Sequence, residues 1–273
     1  MDLDRLEEVE DVGPDWSVSR LGTIFSCGRK YKFKYIDRVE EPKTVPLAFG
    51  SAVHKCLEHL HWNGGWDDNY MQRLWSDVWY EAQLGIDWDS IMYRKSTYDK
   101  KGVTILEAYR ETNMDDDWYA LETNFRFNPM PGQRYDYHQG YPMLRGTIDK
   151  VMRLRGLEGD LERYNGRLAV IDYKTSKNPP DSLLLRVDPQ LTIYHAAAQE
   201  LFGESVVLGI HHLLSNTIHF TERTEIDMVA VIDMIRTGLT RVNQWEFERN
   251  ISYACKWCPF KEQCLGALAN GES

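Results

Sequence analysis

The segments GTIDK (146–150) and VIDYKT (170–175) decide how this chain reads. Each lies in a strand-forming run, YPMLRGTIDKVMRLR (141–155) and RLAVIDYKT (167–175), and the polar link between them holds Gly156, Gly159 and Gly166. Two sequential strands are expected, joined by a turn or short insertion. Side chains two apart in a strand leave the same face, so Asp172 and Lys174 point one way, and Asp149 approaches that face if the strands pair. Two converging carboxylates repel unless a cation lies between them, and their oxygens suit Mg2+ or Mn2+. An ammonium beside them can orient or help deprotonate a water and offset charge developing on a phosphate. In a chain rich in Asp and Lys, an isolated Asp-x-Lys triplet is most often a surface salt bridge. Here apolar residues lead straight into the charges, which then have to be met by partners or a ligand.

Outward from this pair, WYALETNFRF (118–127) alternates and ends before Pro129, which predicts a third strand. Glu122 is a charge inside it, and faces either the carboxylates as a further metal ligand or solvent. Upstream the pattern is helical: Ser17 can cap a helix carrying Leu21, Ile24 and Phe25, SAVHKCLEHLHW (51–62) reads as a second helix with His54 in its first turns, and residues 66–112 are mostly helical up to the polar break NMDDDW (113–118). His54 can donate a nitrogen ligand, although a lone helical His is more often structural. Downstream come a helix in DPQLTIYHAAAQELFG, strands in VVLGIHHLL and TIHFTER, and a late amphipathic helix in IDMVAVIDMIRTGLTRV. Gln190 and Tyr194, at i and i+4, share a helical face and can hydrogen-bond DNA or Lys174. This order predicts an α/β sheet covered by helices, with an elaborated N-terminal helical part.

Composition bounds the partners. The 273 residues are 42% hydrophobic and 27% charged, ordinary globular values, and the formal charge of -10 argues against indiscriminate phosphate binding. The charge is uneven: residues 1–15 hold seven acids against Arg5, whereas Arg20, Arg29, Lys30, Lys32, Lys34 and Arg38 follow with only Asp37 opposing them. That basic, aromatic-rich segment either guides a nucleic acid or is a solvated helix face. No apolar run approaches the roughly 18–20 residues of a membrane span, and the acidic start is unlike a secretory signal, so a cytoplasmic protein is expected.

The cysteines are Cys27, Cys56, Cys255, Cys258 and Cys264, the last three in CKWCPFKEQC. Clustered thiols in a cytosolic chain point to metal binding more than to disulfides. A fourth ligand is needed, and Cys27 suits better than Cys56, which sits in an apolar helical pattern as a small buried hydrophobe. Zinc and iron–sulfur remain open on this chemistry.

Taken in order, SVSRLGTIFSCGRKYKFKY, FGSAVHKCLE, LRGTIDKV, AVIDYKTSK, QLTIYHAA and CKWCPFKEQC resemble the iron–sulfur branch of the PD-(D/E)XK superfamily, similar to RecB-type and AddB-type nuclease domains and to CRISPR adaptation exonucleases. The resemblance implies a restriction-endonuclease-like central mixed sheet flanked by helices, with an iron–sulfur clip joining the termini. It implies a 4Fe-4S cluster on Cys27, Cys255, Cys258 and Cys264. It also implies Mg2+ or Mn2+ held by Asp149, Asp172, His54 and the Tyr173 carbonyl, with Glu122 as a tentative addition, while Lys174, Gln190 and Tyr194 complete the catalytic group. The expected organisation is an acidic tail (1–16), one nuclease domain (17–265, divided into a helical part 17–117, a catalytic sheet region 118–222 and a C-terminal part 223–265) and a tail (266–273). The implied activity is DNA exonuclease action on single-stranded or duplex ends, in phage or mobile-element recombination and repair. The alternatives are CRISPR spacer acquisition with an adaptation partner, a non-catalytic DNA-binding or assembly module, and a zinc-stabilised structural protein.

Overall fold

The computed structural model describes residues 15–88, 94–129 and 143–269, with side chains to residue 266. The expected acidic tail up to residue 14 and the last four residues of the C-terminal tail lie outside the described residues, as does the start of the 141–155 run. The chain divides into two compact units, one made of residues up to Val39, Asn124–Gly146 and the stretch from Glu225, the other of Glu40–Thr123 and Thr147–Thr224.

In the first unit, β1 (Trp16–Ser17) pairs in parallel with Leu144–Arg145. Helix α1 (Val18–Ser26) starts as expected at Ser17, whose Oγ accepts from the Arg20 N–H at 3.2 Å. Extended backbone at Cys27 breaks it from α2 (Gly28–Tyr31), which runs into a π-turn at Lys32–Ile36. Gly28 is required by packing, because a Cβ there would lie 2.8 Å from the backbone nitrogen of Glu248.

The second unit holds α3 (Val45–Asn63), α4 (Asp68–Ala82), α5 (Lys95–Asn113) and most of the sheet. Helix α3 begins earlier than the Ser51 start read from the sequence, because Pro46 falls in its first turn, where a missing N–H costs nothing. It therefore runs through Gly50, where a Cβ would meet Thr175 Oγ1 at 3.1 Å. That close approach lays α3 over the end of the central strand.

The strands are β2 (Trp118–Phe127), β3 (Leu144–Arg153), β4 (Leu168–Lys174), β5 (Val207–His212) and β6 (Thr217–Thr221), with α6 (Ser182–Val187) and α7 (Pro189–Phe202) between β4 and β5. The helices α8 (Glu225–Asn243) and α9 (Lys261–Ala269) follow, in the first unit. The sheet order is β1-β3-β4-β5-β6, with β2 also pairing to β3; β3–β4 and β5–β6 are antiparallel and β4–β5 is parallel. This is the expected mixed α/β sheet flanked by helices. Strand β4 is buried from Leu168 to Tyr173 and β5 throughout, as continuous apolar strands covered on both faces should be.

The expected iron–sulfur clip is not part of this architecture. Cys27, Cys255, Cys258 and Cys264 all line one cavity of about 120 Å³, but their thiols do not form a metal-ligand group. Among the described residues, the one set of three or more His, Cys, Asp or Glu ligand atoms lying within 4.8 Å of one another contains no cysteine. Two of the thiols are engaged with backbone instead: Cys27 Sγ accepts from the Asn250 N–H, and Cys255 Sγ accepts from the Ser252 N–H and donates to the Asn250 carbonyl. Cys56 is fully buried, and burial pushes its thiol up to about 12, consistent with a small core hydrophobe.

Candidate active site

The β3–β4 ladder runs from Arg153↔Leu168 to Lys150↔Ile171 and stops. One step further, the register sets Asp149 opposite Asp172 on one face, and here side chains replace the ladder. Asp149 Oδ2 accepts from the Tyr173 N–H at 2.7 Å, taking up a donor that β3 no longer reaches. Its other oxygen, Oδ1, faces His54 Nδ1 at 3.4 Å. Glu122 completes the group, its carboxylate lying with the Asp149 and His54 ligand atoms within a 4.8 Å set. The Glu122 backbone has φ 43°, a left-handed conformation rare for a residue with a side chain, so strand β2 is kinked at the residue that reaches the site.

Electrostatics mark this group as short of positive charge. Burial, then the charge of Asp149, raises the Glu122 carboxyl to about 7. Burial alone would lower the His54 pKa, but the hydrogen bond with Asp149 and the charges of Asp149, Asp172 and Glu122 outweigh it and the pKa is raised. A cation among the three ligand atoms would relieve both, and one imidazole with two carboxylates is a donor set for a single divalent ion.

That set corrects the expected cofactors. Asp172 is not a member: its Oδ2 meets Lys174 Nζ at 2.7 Å and its Oδ1 accepts from Gln190 Nε2 at 3.0 Å. The set that converges is His54, which was expected, with Asp149 and Glu122, and it offers ligands for a single ion. The described residues thus offer one ion site and no cluster site.

Beside it, Gln190 binds the remaining residues together. Its Oε1 accepts from Lys174 Nζ at 3.1 Å, and its Nε2 donates both to Asp172 Oδ1 and to the Tyr194 hydroxyl at 2.8 Å. Asp188, the cap of α7, accepts from the Gln190 N–H at 2.7 Å and fixes the helix start that aims it. Burial raises the Asp172 pKa, partly offset by Lys174. Burial alone would lower the Lys174 pKa, but the Asp172 charge and hydrogen bond outweigh it, so the side chain is held as an ammonium. A cleft of about 750 Å³ is lined by His54, Glu122 and Lys174, together with Ser51, Lys55, Glu58 and Thr175.

The structure thus brings His54, Glu122, Asp149, Asp172, Lys174, Gln190 and Tyr194 into one place. The Tyr173 peptide enters through its N–H. Sequence reading missed Lys150, which is 1% exposed. The signal was available, since it alternates with Asp149 in a strand and shares the inward face of Ile148 and Met152.

A family model for the PD-(D/E)XK nuclease superfamily matches residues 15–265. The chain belongs to that superfamily, and its fold is that of a nuclease-type hydrolase. Membership of an iron–sulfur branch is not supported, because the cysteines form no ligand group. A comparison with curated proteins finds no match. Among solved structures, a Eubacterium rectale protein that carries the name exonuclease is 14% identical, with a TM-score of 0.51, over 94% of this chain and 92% of that one. At that identity the likeness speaks for the fold. No helix among the described residues is long and apolar enough to cross a membrane.

Proposed function

We propose that this protein is a metal-dependent deoxyribonuclease that hydrolyses phosphodiester bonds at DNA ends. The single observation that carries the reading is the adjacency of the ion-ligand set His54, Glu122 and Asp149 to the Asp172–Lys174–Gln190 group, with His54, Glu122 and Lys174 lining one cleft. A divalent ion on the three ligands, with the Tyr173 carbonyl as a further oxygen, would supply Lewis acidity toward a phosphate oxygen and toward water. Lys174 Nζ serves as a fixed donor to the non-bridging phosphate oxygens or to the water. Its raised pKa makes it a poor base, which sharpens the role expected from sequence. Asp172 and Gln190 keep that ammonium charged and aimed, and Tyr194 holds the second amide hydrogen of Gln190.

Exonuclease action on single-stranded or duplex ends, in a cytoplasmic setting of phage or mobile-element recombination and repair or of CRISPR adaptation, is the finer form of this proposal. The experiment uses linear DNA labelled at the 5′ or 3′ end, single- and double-stranded, incubated with Mg2+, Mn2+, Zn2+ or chelator, beside Lys174→Ala. Progressive shortening that needs an added ion and is lost in Lys174→Ala is expected, and gives the polarity. Tight DNA binding without turnover under every ion would replace the reading with a non-catalytic DNA-binding module on this scaffold. Unchanged cleavage by Lys174→Ala would remove the residue assignment.

A further inference from the structure

Behind the candidate site, on the opposite face of the same two strands, lies a fully buried polar cluster. Alternation sends Lys150 and Tyr173 inward as their neighbours Asp149, Asp172 and Lys174 face the cleft. They meet at the hydroxyl of Tyr109, near the C-terminal end of α5. Lys150 Nζ donates to Tyr109 Oη at 2.9 Å, the Tyr173 hydroxyl lies at 2.8 Å and His61 Nε2 at 2.7 Å. Lys150 is also ion-paired with Asp116, and Tyr109 is 1% exposed.

A phenol has one hydrogen and two acceptor positions, so the Tyr109 hydroxyl can serve all three neighbours at once. With Lys150 and Tyr173 both donating to Tyr109, its own hydrogen goes to an unprotonated His61 Nε2. His61 is seven residues beyond His54 on α3, two turns along the same face. One hydroxyl therefore ties together three of the elements that carry the site: α3 with His54, β3 with Asp149, and β4 with Asp172 and Lys174.

We propose that Tyr109 is a positioning residue of this active site, whose hydroxyl holds α3 against the opened end of the β3–β4 ladder so that His54 and Asp149 converge. The inference rests on the nuclease reading for its catalytic consequence, but its geometric part stands apart from activity. Where β3 and β4 no longer share ladder bonds, the Tyr173 N–H to Asp149 bond is the link that remains on the cleft side, and the Tyr109 cluster is its counterpart inside. Removing the hydroxyl leaves three buried polar groups short of a partner, and the cheapest relief is movement of α3 away from the strands.

The test compares Tyr109→Phe and Tyr173→Phe with wild type and with Val207→Ala. The last is a buried β5 truncation that lowers stability without touching the cluster. The readouts are hydrogen exchange at the Tyr173 amide, Mn2+ affinity by titration followed by electron paramagnetic resonance, and kcat against KM on labelled DNA. In Tyr109→Phe, exchange at Tyr173 rises, while the β5–β6 amides change no more than in Val207→Ala. Mn2+ affinity and kcat each fall about tenfold with KM unchanged, the scale on which outer partners of metal ligands act. Tyr173→Phe shows the same pattern more weakly and stays informative if Tyr109→Phe does not fold. Tyr173 protection and Mn2+ affinity that follow Val207→Ala in both variants would overturn the proposal. Wild-type protein that binds no Mn2+ and cuts no DNA would overturn the nuclease reading, and the Tyr173 exchange comparison would still decide the role of Tyr109.

Discussion

Two regions of this molecule carry residues that a sequence reader assigns to metals, and the structure treats them differently. At the end of the β3–β4 ladder, His54, Glu122 and Asp149 come from three distant segments and their ligand atoms converge. In the first unit, Cys27, Cys255, Cys258 and Cys264 line a common cavity, and the thiols of Cys27 and Cys255 bond to backbone. Convergence in the first case is enforced, because a halted ladder, a kinked strand and a helix laid over Thr175 leave those side chains little freedom. The cysteines sit on a helix junction, a short 3-10 turn (Tyr253–Trp257) and α9, elements that place them near one another without aiming them. Spacing in sequence announces donors, and only rigid supporting backbone turns donors into a site.

The sharpest way to break the comparison is to remove one member from each side. Asp149→Ala or Lys174→Ala is expected to lower kcat/KM on DNA by at least about 10³-fold, about 4 kcal/mol of transition-state stabilisation. Cys255→Ser is expected to leave cleavage within about twofold, as surface-type substitutions away from a site do. A Cys255→Ser protein as dead as Lys174→Ala would overturn the contrast.

Acid should separate the two units next. Burial lowers the pKa of His61 to about 3 and of His211 to about 4, so both are neutral when folded, whereas unfolded imidazoles protonate near 6.5. Folded pKa values below the unfolded one mean stability is full above pH 6.5 and is lost as pH falls from there toward 4 and then 3. Both residues lie in the second unit. Hydrogen exchange followed from pH 7 to pH 4 should show loss of protection in α3, α5 and β5, on the order of a few kcal/mol, ahead of α1 and α8. Equal loss in both units would count against buried neutral imidazoles as the cause.

A smaller effect probes the cysteine side by packing alone. Gly28→Ala forces a Cβ to within 2.8 Å of the Glu248 nitrogen. It should cost about 2 kcal/mol in chemical denaturation, the scale of overpacking, with Mn2+ affinity at the candidate site unchanged. Smaller still, Glu122→Gln keeps shape and removes charge, and Mn2+ titration should show affinity reduced about tenfold, about 1.4 kcal/mol. Unchanged affinity would remove Glu122 from the ligand set.

Much of the fold was legible from the chain. The 118–127 run is a strand over the bounds its alternation gives, the 167–175 run became the buried central strand, and Ser17 caps α1. Helix α3 starts earlier than the 51–62 run suggested, with Pro46 as a first-turn residue. For the site, alternation along VIDYK put Asp172 and Lys174 on one face, and i,i+4 spacing put Gln190 and Tyr194 together. These are local rules that depend only on the period of the backbone.

What sequence could not decide was the partition of partners once those faces were built. Asp172 could as well have been a ligand, yet Lys174 and Gln190 claim both its oxygens, and Glu122 enters through a left-handed kink that no propensity announces. Tyr109 and His61 look like ordinary helix residues until three elements pack on one hydroxyl. The order of motifs therefore determined the superfamily and the mixed sheet, while the iron–sulfur branch it also suggested is not borne out by the cysteines. Tertiary structure decided which polar side chains face one another, because hydrogen-bond partners and ion ligands are fixed by distances of a few tenths of an ångström between segments far apart in the chain.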